Sequence, residues 1–244
     1  MHSSVDRSVM TAPLPGRLRA VLGAALVMLT LPLAACGTTD DAADAAASSR
    51  AKAAADNWNF EAGDFRGWRT EAAGSGGWHV YRDGATAPDP SDSDPNFPFA
   101  VPDPPEGKFA AVTDMSGPGR RILYRDIEPT GSQRLRLTLF YDNQAVGRFS
   151  SPRTLQFDER RPNQQFRIDV MDPSAPIASM TSRAVLATLF RTAPGDPAQI
   201  APTAKTFDLS RWADRTIRLR FAQVDNRGPL RAGIDDVRLD TVQP

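Results

Sequence analysis

Cysteine is almost missing from this chain: Cys36 is the only one in 244 residues. No internal disulfide can form, so the fold must be held by its core, with or without a bound ion, and not by covalent staples. Histidine is nearly as scarce, with only His2 and His79, which closes most histidine-based metal and triad chemistry. No sign of charge prevails, with 29 basic and 29 acidic side chains, and that balance argues against a nucleic-acid binder. Neither Gly-x-Ser-x-Gly nor a Walker loop occurs. Asp158 and Glu159 are adjacent and would point apart on a strand, a poor acid/base pair. These absences predict a protein that is not an enzyme. Long apolar runs are lacking too, apart from one near the N-terminus.

That run, residues 20–31, follows Arg17 and Arg19 and precedes Leu33-Ala34-Ala35-Cys36-Gly37. A basic start, a short apolar stretch and small residues before a cut site define an export signal. It is too short to cross about 30 Å of hydrocarbon comfortably. Leu-Ala-Ala-Cys resembles the lipobox of bacterial lipoproteins. The resemblance implies cleavage after residue 35, a diacylglycerol thioether on Cys36 and acylation (palmitate-type) of the new N-terminus. Three of the basic and one of the acidic side chains (Arg7, Arg17, Arg19 and Asp6) lie in residues 1–35, leaving 26 against 28. Residues 36–56 are alanine-rich and polar, cannot bury a core, and read as a tether to the membrane. The expected location is a bacterial cell envelope, with the membrane as a partner through the lipid anchor.

From residue 57 to 244 short apolar alternations are broken by Gly, Pro, Asn and Asp. The helical period is almost absent. Leu135, Leu137, Leu139 and Tyr141 alternate with Arg134, Arg136 and Thr138; Ile217, Leu219 and Phe221 alternate with Arg218 and Arg220. Each pattern is a strand with one buried and one wet face. Strands are expected at 58–61, 67–71, 77–81, 108–114, 120–127, 134–141, 153–157, 165–171, 185–191, 203–209, 216–224 and 232–239. So many short strands predict an all-β fold, an antiparallel sandwich or barrel, in one domain over 57–244. Two proline-containing loops, 82–107 and 172–182, interrupt them. In the last strand Ile234 lies on one face, whereas Val237 and Leu239 lie on the other. The slip at Asp235-Asp236 predicts a bulge that turns a carboxylate inward.

Asn59-Phe60-Glu61-x-Gly63-x-Phe65-x-Gly67-Trp68 resembles the opening of galactose-binding-like jelly-roll domains. That group includes many carbohydrate-binding modules and looks close to MAM-type adhesion domains. The stretches 207–213, 216–221 and Gly233-Ile234-Asp235-Asp236-Val237-x-Leu239 resemble its closing strands. The likeness covers residues 58–240 and implies a β-sandwich of jelly-roll type. It also implies a structural calcium held by Glu61 and Asp236, with Asp235 beside them. Hard oxygen donors are what calcium prefers, and the alternative is a carboxylate paired with one of the many arginines.

Asp92, Asp94, Asn96 and Asp103 mimic part of an EF-hand spacing, but Phe97 replaces the required glycine and a solvated loop is the better reading. Sugar-binding modules of the resembling kind stack ligands on exposed aromatics, which points to Trp78, His79 and Tyr81. One face of that strand must nevertheless enter the core. Trp68 and Trp212 read as packing residues, and the arginines beside strand leucines as outward solvating charges. The expectation is a non-catalytic envelope lipoprotein whose sandwich binds a glycan or other envelope ligand near residues 78–107. The alternative is a structural or protein-partner adhesion module without a pocket, or a subunit of an export or hydrolase assembly.

Overall fold

The computed structural model describes residues 57–82, 101–113, 117–143, 148–158 and 160–241. The export signal, Cys36, the tether and Asp92, Asp94 and Asn96 lie outside them. No helix among the described residues is long and apolar enough to cross a membrane.

Ten strands form two five-stranded sheets, every pairing antiparallel. They are β1 (Arg69–Gly74), β2 (Trp78–Arg82), β3 (Phe109–Thr113), β4 (Gly119–Ile127), β5 (Gln133–Asn143), β6 (Gln165–Met171), β7 (Val185–Arg191), β8 (Gln199–Asp208), β9 (Ile217–Asp225) and β10 (Leu230–Thr241). One sheet runs β1-β4-β9-β6-β7 and the other β2-β3-β10-β5-β8. Chain neighbours β1 and β2, β3 and β4, and β9 and β10 fall in opposite sheets, so the chain closes as a sandwich of jelly-roll type.

The alternating residues decide which face turns inward. Leu135, Leu137, Leu139 and Tyr141 of β5 pack with Ile217, Leu219 and Phe221 of β9 in one core between the sheets, joined by Phe166, Ile168 and Val170 of β6. In β10, Asp235 pairs with Thr138 and Arg238 with Arg136, so Asp236 and Val237 together oppose Leu137. This is the expected bulge. It lets Ile234 and Val237, three residues apart, share the core. Asp236 takes φ 51° there, a left-handed conformation that aspartate tolerates better than most residues. The turn after β8 is a single 3-10 turn, Ser210–Trp212, and Asp208 accepts the Ser210 N–H at 2.8 Å. Trp68 and Trp212 are core residues.

Two expected strands do not form. Residues 58–61 belong to a compact turn in which Phe60 has φ 64°. There Asn57 donates to the Asp64 carbonyl and accepts from the Ala62 N–H. Residues 153–157 carry no ladder. Their carbonyls are met by side chains instead: Asn163 donates to Thr154 and Gln156, and Gln165 also donates to Thr154. The segment lies over the outer face of β4 and β9 through Leu155 and Phe157.

Candidate functional site

The expected aromatic platform at the second strand is corrected by burial. Trp78 is 5% and Tyr81 4% exposed. Trp78 enters the core beside Phe166, centroids 6.5 Å apart. Tyr81 packs on the opposite face of its sheet with Ala110, Val112 and Phe140. Its hydroxyl donates to the Pro102 carbonyl at 2.9 Å. Burial, with Asp235 and Asp103 nearby, pushes the phenol well above its usual pKa. His79 lies half-buried between them in sequence. Neither large ring offers a face to a ligand, because β2 is covered on both sides.

The acidic residues separate in an informative way. Asp236 turns to arginines, 3.0 Å from Arg238 and 3.5 Å from Arg136. Asp235 is fully buried. One of its oxygens accepts the Glu106 N–H at 2.8 Å; the other finds no hydrogen-bond partner among the described residues. Burial raises its pKa to about 7; the Glu106 and Glu61 charges act in the same direction, against hydrogen bonds from the Glu106 and Asp236 N–H groups. Glu61 comes from the turn before β1, where its carboxylate accepts the Lys108 and Phe109 N–H groups at 3.0 Å. Gly107, at φ 63°, leaves room for that carboxylate, since a Cβ there would lie 2.3 Å from the Glu61 Cδ. Asn59 donates to Glu106 at 3.1 Å. Glu61 and Glu106 lie near enough for their charges to act on Asp235, and carboxylate oxygens are a donor chemistry that suits a hard cation. Among the described residues no three such side chains already converge on one point.

The sequence reading missed a groove at one end of the sandwich. It is about 660 Å³, where the end of β4, the start of β5 and the end of β10 meet. Trp58, Arg125, Glu128, Gln133 and Arg238 line it. Trp58 is half-buried. The Arg125 guanidinium lies 4.0 Å from its ring centroid, and Trp68 packs edge-on at 5.8 Å. An aromatic side chain is thus held by a cation and a core tryptophan beside carboxylate, amide and guanidinium groups. The signal was legible only as a tryptophan in an expected strand; the turn at Phe60 is what brings it to the rim.

A second missed feature lies on the outer face of β6 and β9. Arg220, expected in solvent, is fully buried. It donates to Asp169 at 2.6 Å and to the carbonyls of Ile177 and Ser179 at 2.6 and 2.9 Å. Arg167 donates twice to the same Asp169, at 2.7 Å each. Burial pushes the Arg220 pKa below its usual value, with Asp169 opposing. The loop at 172–184 covers what the alternation read as a wet face.

No protein-family model matches the chain, and no curated protein matches it by sequence. Solved structures resemble it. The K1 cleaved adhesin domain of Lys-gingipain from Porphyromonas gingivalis W83 aligns over 76% of this chain and 96% of its own, with 12% identity and TM-score 0.43. TmCBM61, solved with β-1,4-galactotriose, aligns over 77% and 97%, with 15% identity and TM-score 0.39. A Stig cyclase from Fischerella sp. TAU aligns over 75% and 93%, with 15% identity and TM-score 0.39. At such identities and scores the likeness assigns no function to this chain.

Proposed function

We propose that this is a non-catalytic lipoprotein of a bacterial cell envelope, anchored through Cys36, whose sandwich binds a glycan in the groove at Trp58. The observation that carries the reading is the half-buried Trp58 beside Arg125, Glu128, Gln133 and Arg238. Sugar rings present an apolar face and a rim of hydroxyls, and a braced aromatic with several hydrogen-bonding groups around it matches both. A glycan array probed with the soluble 57–244 fragment tests this. Saturable binding that Trp58→Ala abolishes supports the reading. Binding of a neutral glycan that survives Trp58→Ala places the site away from this groove, and no binding at all favours a structural or protein-partner module.

Calcium belongs to the same proposal as a structural ion. Asp235, with Glu61 and Glu106 from two separate loops, would hold it, and a divalent cation would compensate charges that burial otherwise penalises. Asp236 is supplied with arginines and is not needed for that role.

A further inference from the structure

The outer face of the β6–β7 region carries a trough that the glycan groove does not involve. One hollow of about 240 Å³ is lined by Arg153, Arg167, Arg191, Met180, Ser182 and Thr188 among others. Through Arg153 and Met180 it continues into a second hollow of about 380 Å³ beside Leu155 and Thr181. Three guanidiniums and, among the described residues, no carboxylate line this trough.

The charge beneath the floor is also unbalanced. Asp169 is fully buried and is shared by Arg167 and Arg220, so the cluster holds two cations against one anion. The Arg167 side chain is 5% exposed. Among the described residues its remaining amino group reaches only the Gln165 side-chain oxygen Oε1, at 3.3 Å, a long contact for a charged donor. Arg153 and Arg191, both exposed, form no ion pair among the described residues. A surplus positive charge held in low dielectric is costly unless an anion compensates it.

We infer that the trough is a second binding site, for an oxyanion: a sugar carboxylate, a sugar sulfate ester or free phosphate. Arg167 forms its floor, Arg153 and Arg191 its walls. Guanidinium groups suit such ligands because they offer paired donors in one plane. The nearly neutral whole chain, 29 basic against 29 acidic side chains, makes this a local device and not a general attraction to polyanions.

The test is calorimetric titration of the purified full chain with an oligogalacturonide, a sulfated oligosaccharide, inorganic phosphate and a neutral malto-oligosaccharide. At least one anionic probe should bind, any binding of the neutral one should be lost with Trp58→Ala, and anionic affinity should fall as salt rises from about 0.05 to about 0.5 M. The double variant Arg153→Gln, Arg191→Gln should lose about tenfold or more in affinity with its melting temperature unchanged, because neither residue holds the fold. Trp58→Ala should leave this binding intact, which separates the trough from the glycan groove. Binding by the oligosaccharides assigns a sugar acid or ester as the source; binding by phosphate alone assigns the free ion. Failure of every anionic probe, or undiminished binding by the double variant, overturns the inference.

Discussion

Asp169 accepts from Arg167, Arg220 and the Thr188 hydroxyl while excluded from water. Removing that one carboxylate would leave two buried guanidiniums without a counter-charge. Asp169→Asn should therefore cost about 3–5 kcal/mol, the usual result of breaking a buried pair from one side. Urea unfolding measures it, and a loss below about 1 kcal/mol would mean the cluster is solvated. Asp235 makes a different prediction. Its folded pKa is raised to about 7, so in chelator the stability it contributes is present at low pH and is lost as pH rises from the ordinary carboxylate range through 7. Excess calcium should flatten that decline and raise the melting temperature at neutral pH. Melting curves that are the same with calcium and with chelator would remove the ion.

At the scale of the strand, the bulge in β10 and the close approach beside it are the sensitive points. A Cβ on Gly233 would lie 1.9 Å from the Phe140 ring. Gly233→Ala should destabilise by about 1–3 kcal/mol or more through overpacking, seen as a lower urea midpoint with unchanged slope. An unchanged midpoint would show that the Phe140 ring yields freely. The bulge itself was legible, because Ile234 and Val237 cannot both reach the core along a regular strand. So were the strands with clean alternation, such as Leu135 to Tyr141. What alternation could not show was a cover. Arg220 and Arg218 have the same period on the same strand, yet one lies under the 172–184 loop with no exposure and the other pairs with Asp126 nearer the surface. The segments 58–61 and 153–157 failed for a related reason: side chains of Asn57, Asn163 and Gln165 satisfy backbone groups that a ladder would otherwise claim. Those same departures shaped the two proposed surfaces, lifting Trp58 to a rim and laying Arg153 beside a trough.

Across the whole molecule, the sandwich buries the aromatic residues of β2, and the two proposed sites lie at its periphery, at one end and on the outer face of one sheet. The fold class followed from composition and period two, whereas the proposed groove depends on contacts between turns far apart in sequence, which no single stretch encodes. The most direct measurement is the movement of the indole N–H signals of the four tryptophans in a nitrogen–proton correlation spectrum of the soluble fragment, titrated with the best ligand from the array. The Trp58 signal should shift most, saturating with the binding curve, while those of the buried Trp78 and Trp212 stay in place. A shift centred on Trp78, with Trp58 unmoved, would contradict the glycan groove.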